Sequence, residues 1–119
     1  MLLAAQIVTG IVALIHVYIV LLETVLFDTR GKRVFDLTDQ AAAIVKPALS
    51  NQGCYNGFLV AALALGLFWP DDVTAKAFAF FGLACVAVAG VWGGLTVKRS
   101  ILLIQTLPSA VALALWWMV

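Results

Sequence analysis

Charged residues make up only 11% of this 119-residue chain, against roughly 25% in soluble domains. So few cannot cover a surface that faces water on every side. Seven Lys and Arg against six Asp and Glu leave a net charge of +1, which gives no basis for binding nucleic acid. Cysteine is equally sparse. Cys54 and Cys85 lie in apolar stretches with no CxxC or Cys/His cluster, so they read as buried free thiols. With a single His in the chain, neither a metal centre nor a haem is expected, and no cofactor is assigned. No Lys or Arg precedes Arg30, so a cleavable signal with a basic leader is not expected and the first apolar run reads as a membrane helix.

What the chain does have is apolar surface. Hydrophobic residues reach 65% and mean hydropathy is +1.12, the composition of an integral membrane protein. A bilayer core needs roughly 20 apolar residues per helix, and stretches at about 3–26, 48–69, 73–96 and 100–118 meet that length. Backbone groups in lipid must be satisfied internally, so these segments read as helices rather than barrel strands. The expected fold is all-α, a polytopic four-transmembrane-helix bundle in one domain spanning 1–119. The loop before the second span contains "RVFDLTDQAAAIVK", with Val34, Leu37, Ala41 and Ile44 roughly on one side. It reads as a short membrane-surface helix or an ordered loop.

Basic residues set the orientation. Arg30, Lys32, Arg33, Lys46, Lys98 and Arg99 fall in the first and third loops, and only Lys76 lies near the second. Six against one places the first and third loops in the cytoplasm and both termini outside. Trp69, Trp116 and Trp117 then fall at the outer ends, the depth of an aromatic belt. The expected location is the cell membrane, for a bacterium the inner membrane, with lipid as the surrounding partner.

Polar residues inside the spans converge. Counted inward from the cytoplasmic boundary, Glu23 lies about 7 Å deep, and Tyr55, Asn56 and Gln105 about 9 Å. Thr96 is nearer the surface and His16 nearer mid-membrane. The outer half holds little beyond Gln6 and Thr9, with Ser109 near the middle. His16 and Glu23 are two turns apart on one face. In "NQGCYNG", Gln52 is within one turn of Tyr55 and Asn56, and Asn51 is four from Tyr55. Gly53 and Gly57 leave room for a helix or ligand against the backbone. Gly90 and Gly94 form a small-xxx-small pair for tight helix contact. Pro108 frees a backbone carbonyl about one turn earlier.

The segments "HVYIVLLE", "NQGCYNGFLVA", "GVWGGLT" and "QTLP" resemble a family of small bacterial four-helix membrane proteins known only as a domain of unknown function. The resemblance covers essentially the whole chain. It implies a four-helix membrane fold and carries over His16, Glu23, Asn51, Gln52, Gly53, Tyr55, Asn56, Gly57, Thr96 and Gln105 as motif positions. It implies no activity.

Three functional classes follow from the residues. Intramembrane ionisable groups are costly and functional by default. The first class is therefore a polar, cytoplasm-facing cavity that binds or transports a small polar or amphiphilic molecule. Glu23 there exchanges a proton or holds a cation, and His16, Asn51, Gln52, Tyr55, Asn56, Thr96 and Gln105 complete the site. Four short helices enclose little volume, so transport calls for a homo-oligomer, and the one-sided charge favours a parallel dimer. The second class is a membrane-embedded enzyme with His16 and Glu23 as acid and base on a lipid-like substrate. No nucleophile beside a base stands out among Ser50, Ser100 and Ser109. The third is a structural or accessory subunit whose polar side chains only join helices.

Overall fold

Caps and close backbone contacts set the helix boundaries. A computed structural model describes residues 1–119 and contains helices and turns, with no strand. α1 (Leu2–Glu23) has no proline and runs to a break at Thr24, where φ −120 and ψ −99 leave the helical region. A π-helical turn, π1 (Phe27–Gly31), and a single turn, α2 (Lys32–Val34), follow. Gly31 tucks so closely onto the Leu22 carbonyl that a Cβ there would overlap the oxygen. That contact folds the chain back over the end of α1. α2 ends in a Schellman motif: Leu37 N–H bonds the Lys32 carbonyl and Asp36 N–H bonds that of Arg33. Asp36 takes the left-handed conformation there, with φ 57.

α3 (Asp39–Phe68) is longer than the sequence implies and begins nine residues earlier than expected. Thr38 starts it, its hydroxyl accepting the Ala41 N–H at 3.1 Å, a cap contributing about 1 kcal/mol. Pro47 lies inside this helix. It removes one bond, to the carbonyl of Ala43, which is an exposed residue. The segment read as a surface helix or an ordered loop is divided: Val34 ends α2, Leu37 lies in the turn, and Ala41 and Ile44 belong to α3, where Ile44 is 75% exposed while Ala42 is buried. Two ion pairs, Lys32–Asp39 and Lys46–Asp28, tie the returning loop to α3.

α4 (Asp72–Thr96) is capped by Asp71, which accepts from Thr74 N–H and Thr74 Oγ1 at 2.8 and 2.6 Å. The final segment is split. π2 (Leu102–Thr106) leads into α5 (Leu107–Trp117), because Pro108 has no N–H for the i−4 bond and the backbone widens one turn earlier. α1 and α4 are long and apolar enough to cross a membrane. The polar "NQGCYN" interrupts the apolar run of α3, and the last apolar stretch, Leu102–Trp117, is shorter.

The long helices pack in a ring: α1 against α3, α3 against α4, α4 against α5 and π2, and α5 back against α1. Small residues bring backbones together. A Cβ on Gly66 would sit 2.7 Å from Ala79 N, and one on Gly82 would sit 3.0 Å from Leu63. Ala5, Val12, Leu63, Ala79, Leu83, Val86, Ala112 and Trp116 form the central cluster. Trp116 thus differs from its expected place in an aromatic belt: it is 4% exposed, and its indole points inward, whereas Trp117 faces out. The four buried polar or charged residues are Thr9, His16, Glu23 and Ser109, while Leu14, Phe81, Val88, Trp92 and Leu103 face out. The core is thus mainly apolar with four polar side chains inside it, and large apolar side chains cover much of the outer surface.

Candidate functional site

Glu23 closes α1 and is 2% exposed. Gln52 Nε2 donates to its Oε1 and Asn56 Nδ2 to its Oε2, both at 2.7 Å. Gln52 and Asn56 are one turn apart on α3, so both amides reach the same carboxylate. Gly53 sits between them: a Cβ there would lie 3.1 Å from Glu23 Cβ and closer still to Thr24. Glycine therefore lets α3 approach near enough for both bonds. No cation joins Glu23, since the chain's ion pairs are Lys32–Asp39 and Lys46–Asp28. The site is a buried carboxylate held by two neutral donors.

His16 lies two turns below Glu23 on the same face and is 1% exposed. Its Nδ1 is 2.9 Å from the Val12 carbonyl, and its Nε2 has no hydrogen-bond partner. A carbonyl only accepts, so Nδ1 carries the proton and Nε2 of the neutral ring presents a lone pair.

The other expected site residues divide. Tyr55 is 61% exposed and packs edge-to-face on Phe58. It sits a helical step away from Asn56 and faces outward. Asn51 is exposed, and Thr96 is exposed with its hydroxyl turned back onto the Trp92 carbonyl. None of these three joins Glu23. Gln105 is half-buried and packs with Thr106 against α4, where a Cβ on Gly90 would lie 2.8 Å from Thr106 N. Gly94 meets Leu102 in the same way. Gly57 departs from the helix-packing role expected of it, with nothing within 4 Å of its Cβ position. It lines a shallow groove of about 150 Å³ with Val17, Val20, Leu21 and Val60. A larger open cleft of about 420 Å³, lined by Arg30, Arg33 and Val34, lies in the returning loop.

Several contributors were not singled out from the sequence. Gly31 was missed because its role is a contact with a carbonyl nine residues away. Thr9, Ser109 and Trp116 carried a signal, two polar residues and an indole at related heptad positions, but their meeting depends on how α1 and α5 pack. No three of the chain's His, Cys, Asp and Glu side chains gather at one point.

The family described as "Protein of unknown function (DUF1304)" matches residues 10–117, and the chain belongs to it. No curated protein and no solved structure matches the chain.

Proposed function

We propose that this member of a family of unknown function is a multi-pass membrane protein that binds or exchanges a small cation or proton at Glu23, in the course of binding or transporting a small polar molecule. The observation that carries this reading is a carboxylate, 2% exposed, with two amide donors and no basic partner. Lipid-embedded carboxylates are expensive, and structural ones normally pair with Arg, Lys or His. A carboxylate left without a cation is the form that takes up a proton or a positively charged group.

The outward apolar surface supports four membrane spans, with α3 and the π2–α5 segment crossing beside α1 and α4. The excess of basic residues in the first and third loops supports cytoplasmic placement of Glu23's end, in a cell membrane that for a bacterium is the inner one. Gln52 is exposed at its surface edge, so the route to the carboxylate runs past that amide. Transport by so small a bundle calls for more than one copy, and a parallel homodimer fits the one-sided charge.

A second reading has its own support. Both carboxylate oxygens are already satisfied within the chain, which also suits a tie between α1 and α3. Mass spectrometry of copurifying small molecules, comparing wild type with Glu23→Gln at equal folded yield, decides between them. A species enriched on wild type and lost from the variant supports exchange at Glu23. Identical profiles with a lowered midpoint of unfolding leave the tie and overturn the binding role.

A further inference from the structure

Two buried side-chain atoms in the protein lack a hydrogen-bond partner, His16 Nε2 and Ser109 Oγ. They belong to different helices, yet the packing of those helices brings them to one level. Trp116 Nε1 donates to Thr9 Oγ1 at 2.9 Å, which fixes the register of α5 against the antiparallel α1. His16 is seven residues after Thr9 and Ser109 is seven before Trp116. Each is about 10.5 Å, two full turns, from the bonded pair and on the same face of its helix. The two orphaned atoms therefore share a layer on the α1–α5 contact.

Their chemistry is complementary. Nδ1 donates to the Val12 carbonyl, so Nε2 requires a donor. The Ser109 hydroxyl requires an acceptor and can also receive a bond. The buried residues of the central cluster, Leu63 from α3 and Leu83 and Val86 from α4 among them, are apolar and offer neither atom a partner. Buried water characteristically bridges polar groups left over in this way.

We infer that His16 Nε2 and Ser109 Oγ form a buried binding site for one small neutral hydroxylic molecule, water in the first instance, which donates to the imidazole and accepts from the serine. It is a second polar station two turns below Glu23, and it places a base at mid-depth in the protein. The site stands whether or not Glu23 exchanges a proton.

The chain has a single His, so labelling histidine alone with nitrogen-15 and carbon-13 reports on His16 without assignment. The full chain in lipid nanodiscs should show a neutral ring protonated at Nδ1, with magnetisation transfer from water to the ring protons. Ser109→Ala should keep the tautomer and lose most of that transfer, at least several-fold. Ser109→Thr, which keeps a hydroxyl, should retain it, and so should Glu23→Gln. Absence of water transfer in wild type overturns the site, as does a ring protonated at Nε2. Transfer unchanged in Ser109→Ala overturns the role of the serine. If Ser109→Ala does not fold, the wild-type and Ser109→Thr spectra decide alone.

Discussion

Trp116 donates its indole N–H to the Thr9 hydroxyl across 107 residues of sequence, and both side chains are buried. Thr9 in turn donates to the Ala5 carbonyl at 2.7 Å. This chain of bonds joins the first helix to the last and closes the ring. Thr9→Val keeps the shape but leaves the indole N–H without an acceptor. It should lower stability by about 1–3 kcal/mol, measured by unfolding in mixed detergent micelles. Thr9→Ser keeps the hydroxyl and should lose less.

The two amides that hold Glu23 are not equivalent. Asn56 is half-buried and Gln52 is exposed, so water replaces Gln52 more easily than Asn56. Asn56→Leu should lower stability by about 1–2 kcal/mol, near the upper end for interhelical hydrogen bonds in membranes. Gln52→Leu should lose clearly less. Equal losses in the same unfolding assay would contradict this geometry.

Two glycines of α3 should respond oppositely to a methyl group. At Gly66 the new Cβ meets the Ala79 backbone at under 3 Å, and helices forced apart lose about 1–3 kcal/mol. At Gly57 it meets nothing, so Gly57→Ala should be neutral or stabilise by up to about 1 kcal/mol through helix propensity. Comparing the two unfolding midpoints tests the packing directly.

Asp36 occupies the left-handed region, with φ 57. A side chain there costs about 1–2 kcal/mol, which glycine avoids. Asp36→Gly should stabilise the turn between α2 and α3 by about 1 kcal/mol after its own entropy loss. The readout is slower hydrogen exchange at Leu37 N–H.

Asp71 has a pH dependence of definite sign. Its side chain and backbone bonds from Thr74 hold the carboxyl below the usual range. The Asp71 cap is therefore complete above the unfolded value of about 4 and is lost as pH falls through the lower folded value. Protection of the Thr74 and Ala75 amides, taken relative to their intrinsic exchange at each pH, should fall on acidification below about pH 4. Asp71→Asn should flatten that response.

Much of the Glu23 site was legible in the sequence. A polar pair seven residues apart on one helix has to share a face, and residues four apart on another have to do the same. That logic brings out His16 and Glu23, and with them Gln52 and Asn56. It fails for Tyr55 and Asn51. Local spacing links them to Asn56 and Gln52, but it does not say which side of α3 turns inward. The close contact at Gly53 settles that, because it can be met by only one face. Thr96 was too near the helix end and bonds its own backbone. Gly57 and Gly53 look alike in sequence, and only one has a neighbour.

Composition and the length of the apolar runs pointed to an all-helical chain, and the structure is helical throughout with two helices long and apolar enough to cross a membrane. The heptad spacing determined which polar residues of α1 lie together. The tertiary structure decided what each of them meets: amides for Glu23, an indole for Thr9, and no partner for His16 Nε2. It also decided that α3 begins at Asp39 and that Trp116 turns inward. Those outcomes depend on the rotation and register of one helix against another, which are fixed by backbone contacts at Gly31, Gly53, Gly66 and Gly90 rather than by any local preference.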